Sequence, residues 1–209
     1  MLFSSLMYSQ TKFSMPPNYT LIKNNIEAQN SHFYYPKLIK RLSENDTLLT
    51  VPEYLHLYYG YALQKQYNPY GYTSQDKTLK EFYKKDSLTM SEAKEYIKVA
   101  RKSLEEYPMD IGLMNLLAYA YHQSGDDATT LKIAANIRGL VTAILSTGDG
   151  QQCQSAFHVI SVNHEYVLLS LFEIETANQT LSGNCDYIEF PKNLYKFPGV
   201  YFDVSKIKK

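Results

Sequence analysis

The sequence predicts an α+β fold, with helical hairpins packed on a small C-terminal antiparallel sheet that carries one helix. Three observations predict it. Two Thr-x-x-Glu capping boxes are each followed by apolar residues at helical spacing. A sharper helical pattern runs from Asp110 to a Gly-Asp-Gly stop. After Gly150 the period changes to short β-rich runs bounded by turns.

Tyr19, Ile22 and Ile26 suggest a first helix after Pro17-Asn18, and Pro36 suits the first position of a short second one bearing Leu38, Ile39 and Leu42. In Thr50-Val51-Pro52-Glu53 and Thr89-Met90-Ser91-Glu92 the Thr oxygen can accept from the third helical N–H while the Glu reaches back. Behind Thr50, Tyr54, Leu57, Tyr58, Tyr61 and Ala62 keep helical spacing. Behind Thr89, Ala93, Tyr96, Ile97, Ala100, Leu104 and Tyr107 do the same. Between them, Asn68-Pro69-Tyr70-Gly71 is a turn, and Leu79, Phe82 and Tyr83 mark a short helix. Asp110 caps a helix with Met114, Leu117, Ala118 and Tyr121, which Gly125 ends. The next helix starts near Asp126, carries Ile133, Ile137, Leu140, Val141 and Ile144, and stops at Thr147-Gly148-Asp149-Gly150.

Beyond it, Ala156 to Val162 reads as a strand and Asn163 as the cap of a helix from His164 to about Ile174. Gln179-Thr180-Leu181 and Cys185 to Phe190 read as strands around Ser182-Gly183-Asn184, and Val200 to Val204 as a last strand. The expected organisation is a terminus at 1–15, a helical region at 16–147 and a small α+β region at 148–209, the last two packed as one unit.

Ser103 to Pro108, Leu117-Ala118-Tyr119-Ala120-Tyr121 and Gly125-Asp126 resemble the join between two tetratricopeptide repeats. Ala118, Tyr121, Gly125 and Pro108 stand at matching spacings, over about one and a half repeats. Thr130 stands where that family usually has a small Ala, and the upstream helices do not keep the 34-residue period. The resemblance implies tetratricopeptide-like hairpins without a full superhelix. Phe33-Tyr34-Tyr35-Pro36, His56 to Tyr61, Tyr67-Asn68-Pro69, Gly148-Asp149-Gly150, Ala156 to Ile160, His164-Glu165-Tyr166 and Tyr201-Phe202 resemble an uncharacterised Bacteroidetes family, domain of unknown function 4919, nearly along the whole chain. That resemblance implies a bacterial, often exported protein and no activity.

Composition narrows the function classes. Lys+Arg and Asp+Glu both count 21, which excludes a strongly basic nucleic-acid binder. An apolar share of 44% argues against disorder. No uninterrupted apolar run approaches the roughly 18 residues of a membrane span. Met1 to Gln10, with Leu2, Phe3, Leu6 and Met7, looks like the tail of a secretory signal; the alternative is a frayed terminus. In an oxidising compartment Cys153 and Cys185 could bridge, closing a loop worth about 3 kcal/mol; in a cytoplasm they would be two small buried hydrophobes. The 20 tyrosines, with no Trp, suit a half-buried core or an aromatic contact surface.

The leading expectation is a non-enzymatic binding or assembly module whose partner is another protein or a peptide. Tyr54, Tyr58, Tyr61 and Tyr121 are its candidate contact residues, or else core. The alternative is a metal-dependent or hydrolytic enzyme around His158, His164, Glu165 and Asp149, provided strand and helix N-terminus converge. The expected background to that alternative is a structural His158 and an exposed His164. The spacing matches no His-Glu-x-x-His or zinc-finger pattern, and the Gly-Asp-Gly loop lacks the Lys and Gly spacing of a phosphate loop. No cofactor is expected. A carbohydrate surface rests on tyrosine content alone.

Overall fold

Thr50 and Thr89 each start a helix by closing the same reciprocal pair of hydrogen bonds. The Thr oxygen accepts from the N–H of Glu53 or Glu92, and that glutamate accepts from the Thr N–H. A computed structural model describes residues 15–207 of the chain. The export signal expected at the start lies outside the described residues. Among those described there are eight α-helices: α1 (Tyr19–Glu27), α2 (Tyr35–Ser43), α3 (Val51–Tyr61), α4 (Asp76–Tyr83), α5 (Met90–Glu106), α6 (Ile111–Gln123), α7 (Asp127–Leu145) and α8 (Val162–Leu171). Four strands accompany them: β1 (Phe157–His158), β2 (Asn178–Ser182), β3 (Cys185–Glu189) and β4 (Gly199–Asp203). The fold is α+β. The chain divides into two compact units, Thr20–Leu140 and residues 141–207 with residues 15–19.

In the helical unit α2 packs on α3, α4 on α5, and α5 most extensively on α6. Helix α3 is buried almost all round, with Leu57, Tyr58, Tyr59 and Tyr61 fully enclosed. A helix apolar on every side belongs in a core. Much of the tyrosine excess is spent there. Tyr58 meets Tyr59 edge-on at 4.9 Å between ring centroids, and Tyr61 contacts Tyr67 and Tyr107, both at 5.7 Å. Each ring supplies apolar area, and the Tyr61 hydroxyl donates to the Gln66 carbonyl at 3.4 Å. Arg41 of α2 clamps the start of α3, donating to Asp46 at 2.6 Å and to Glu53 at 2.5 Å.

Gly125 ends α6 in the left-handed region at φ +86°, which relieves the last carbonyls. Asp126 then caps α7 by accepting from the Thr129 N–H. The hydroxyl of Thr130 donates to the Ala118 carbonyl at 3.1 Å and so ties α7 to α6. By length and composition α7 could cross a membrane. It carries Asp127, Lys132 and Arg138, however, and it buries Ile133, Leu140, Ala143 and Ile144 within the protein, the pattern of a core helix.

The second unit holds a four-stranded sheet in the order β1-β4-β3-β2. Strands β2 and β3 form an antiparallel hairpin through the two-residue loop Gly183-Asn184, with Gly183 at φ +61°. The β3–β4 pair is also antiparallel, in the register Cys185↔Asp203 to Glu189↔Gly199. Strand β1 lies parallel to β4, so the sheet is mixed rather than wholly antiparallel as expected. The physical reason is the connection: the chain leaves β1 through α8 and the hairpin before it reaches β4, and such a crossover lets strands run the same way. The expected strand from Ala156 to Val162 shrinks to Phe157–His158 because α8 already begins at Val162. Ser161, not Asn163, precedes that helix.

Candidate functional site

Side chains alternate across a strand, so register decides which residues share a face. Asp186, opposite Phe202, takes one face of the sheet. Cys185, opposite Asp203, takes the other, together with His158, which pairs with Asp203 in the parallel register. The expected site is thereby divided. His158 faces Asp203, its Nδ1 3.6 Å from Asp203 Oδ1. Burial lowers its pKa more than the aspartate raises it, so the ring is neutral near pH 7. Glu165, from the first turn of α8, meets Asp186 on the opposite face.

Asp149 joins neither set. Its carboxylate accepts from the Gln151 N–H and the Ser155 hydroxyl, while the N–H groups of Asp149 and Gly150 donate to the Ser155 carbonyl, both at 2.9 Å. A Cβ on Gly148 would lie 2.2 Å from that same carbonyl oxygen. The Gly-Asp-Gly loop is therefore a tightly packed helix stop. His164, expected to be exposed, is fully buried in the first turn of α8. Among the described residues no group of three or more His, Cys, Asp or Glu is arranged to hold a metal.

The acidic pair is the most unusual arrangement in this unit. Glu165 is fully buried and Asp186 nearly so. Gln179 of β2 bridges them, its Nε2 donating to Asp186 Oδ2 at 2.9 Å and more weakly to Glu165 Oε2 at 3.5 Å. The Tyr166 hydroxyl donates to Gln179 Oε1 and fixes the amide. Glu165 Oε1 is buried with no hydrogen-bond partner. Burial, then the charge of Asp186 and a side-chain hydrogen bond to it, push the Glu165 carboxyl up to about 8. Asp186 and Gln179 escaped the sequence reading because nothing local marks an aspartate in a short strand as inward-facing.

Cys153 and Cys185 form a disulfide with their Cα atoms 5.8 Å apart. It joins the turn Cys153–Ser155 to the start of β3.

The tyrosines expected at a contact surface are mostly interior. Tyr54 is 4% exposed and Tyr58 and Tyr61 are 0% exposed, because α3 is the enclosed helix of its unit. Tyr121 is half-buried, and its hydroxyl accepts from Arg101 at 3.1 Å. Near that pair the helical unit opens an apolar groove of about 400 Å3. Ile39 and Leu42 of α2, Leu104 of α5, Met114 and Leu117 of α6 and Ile133 of α7 line it, and Lys40, Arg101 and Glu105 form a charged, exposed rim. Arg101, Leu104 and Glu105 follow helical spacing along α5, so one face of that helix makes a wall, and Pro108 just beyond its end continues it. The sequence marks Leu42, Leu104, Met114, Leu117 and Ile133 as helix-face residues; that they meet around an open groove is a tertiary fact.

Residues 20–209 match the family model described as a domain of unknown function, DUF4919, and the chain belongs to that family. No curated protein and no solved structure matches it.

Proposed function

We propose that the helical unit is a non-enzymatic binding module whose groove takes an apolar peptide segment of another protein. The observation that carries this reading is the groove itself. Its floor is apolar, its rim is charged, and its volume falls in the roughly 300–1,000 Å3 range of ligand-binding clefts. Apolar side chains of a peptide would be taken up by the floor, while Lys40, Arg101 and Glu105 would meet its backbone and polar groups. Pro108, Ala118, Tyr121 and the turn at Gly125 support a tetratricopeptide-like reading of α5 to α7, from which Thr130 departs; such hairpins present surfaces of this kind. The disulfide fits work in an oxidising compartment, and so supports export.

A photo-crosslinking residue at Leu104 in the full chain, expressed in its native cells, tests this. The expected result is one discrete adduct at Leu104 and none from the same group at Leu131, which is 71% exposed on α7. A Lys40→Glu, Arg101→Glu variant with an unchanged circular dichroism spectrum should lose the adduct. Equal labelling at both positions would overturn the proposal.

A further inference from the structure

Glu165 and Asp186 meet inside the second unit with a single neutral amide between them. A buried carboxylate is costly unless paired, and two carboxylates in contact repel each other. On the helix of Glu165 the chain neighbours are the fully buried His164 and Tyr166, whose hydroxyl is engaged with Gln179. Strand β3 brings Asp186, β2 brings Gln179, and β4 brings Phe202 on the same face. His158 and Asp203 take the opposite face. Among the described residues, the charge that acts on Glu165 comes from Asp186.

With this geometry, ionising both carboxyls would set two negative charges against each other in a buried site. One bound proton removes the conflict and supplies the donor for a carboxyl–carboxylate hydrogen bond. We propose that Glu165 keeps its proton at neutral pH where it meets Asp186, and that loss of this proton to solvent releases the β2–β3 hairpin from α8, making the contact a proton-controlled latch.

The consequence falls on β2. Every residue of that strand is exposed, and it stands at the edge of the sheet with β3 as its neighbour. Its polar ties to α8 run through Gln179, to Glu165 and Tyr166. With Glu165 ionised, the single Gln179 amide faces two carboxylates, and the repulsion between α8 and β3 acts directly on the hairpin.

A carbon-13 carboxyl titration of the full chain between pH 5 and 9.5, run with amide exchange at β2, tests the latch. The expected result is a carboxyl resonance, absent from Glu165→Gln, that titrates near pH 8. Over the same range the protection factors of the β2 amides should fall at least tenfold in the wild type and stay flat in Glu165→Gln. Asp186→Asn serves as a second variant should the first fail to fold, and it should flatten the profile in the same way. A Glu165 resonance that titrates below pH 6 would overturn the proposal. So would titration near pH 8 with unchanged protection at β2, or the same loss of protection in wild type and variant.

Discussion

Tyr54 and Asn136 are joined across 82 positions of chain: the Tyr54 hydroxyl donates to Asn136 Oδ1 at 2.6 Å in the core of the helical unit. Burial pushes that hydroxyl up to about 12, so it remains a donor at any physiological pH. Asn136 is 0% exposed, and its amide nitrogen donates to the Lys132 carbonyl. Tyr54→Phe strands a buried acceptor and should cost about 1–3 kcal/mol in urea unfolding. Adding Asn136→Leu should recover part of that loss, because removing both partners leaves no orphan. A double variant no more stable than Tyr54→Phe alone would contradict this.

The same ring decides the effect of a change at Gly139. A glycine inside a helix normally yields stability when replaced by alanine, by about 1 kcal/mol. Here an added Cβ would fall 2.1 Å from Tyr54 Cε2, on a ring anchored by its hydrogen bond. Gly139→Ala should therefore destabilise by about 1–3 kcal/mol, the usual cost of overpacking. In a Tyr54→Ala background the same change should become neutral or stabilising. Thermal unfolding of the four proteins checks the reversal of sign.

The disulfide closes a loop with a sequence separation of 32. In the chain-entropy picture that contributes about 3–4 kcal/mol. Reduction should lower the unfolding midpoint of the wild type and leave that of the Cys153→Ser, Cys185→Ser protein unmoved. The oxidised wild type should be the most stable of these forms. A wild-type midpoint insensitive to reductant would rule out a stabilising bridge.

His56 gives the helical unit a pH dependence of definite sign. Its Nδ1 lies 2.7 Å from the Pro52 carbonyl, which only accepts, so Nδ1 carries the proton; Nε2 then accepts from Asn25 Nδ2 at 2.9 Å. The ring also stacks on Phe33 at 3.8 Å. A second ring proton would face the Asn25 amide, and burial lowers the pKa below its ordinary value. The group therefore contributes its stability in full above the unfolded value of about 6.5 and loses it as pH falls through the folded value. Wild type should lose more stability than His56→Gln on going from pH 7 to pH 5, read by denaturant midpoints. Parallel pH profiles would remove His56 from the account.

The helices were legible because their signals are local. Thr50 with Glu53, Thr89 with Glu92, and Asp110 with Leu113 close their hydrogen bonds within four residues, and α3, α5 and α6 begin where those pairs stand. The hairpin turn at Gly183-Asn184 is equally local. The candidate site was legible only as a list. His158 and Glu165 are seven positions apart, yet the sheet places them on opposite faces, and the true neighbour of Glu165 is an aspartate on another strand. Tyr54, Tyr58 and Tyr61 carried a correct helical period but no indication that α3 would be enclosed on every side.

By itself the sequence determined the capped starts of α3, α5 and α6, the turns at Gly125 and Gly183, and the change of period after Gly150. Only the tertiary structure decided that β1 runs parallel beside β4, that α2, α5, α6 and α7 leave a groove among them, and that two acids share a buried site. Caps and turns are settled by hydrogen bonds among near neighbours, whereas burial and charge pairing depend on groups the chain brings in from a distance.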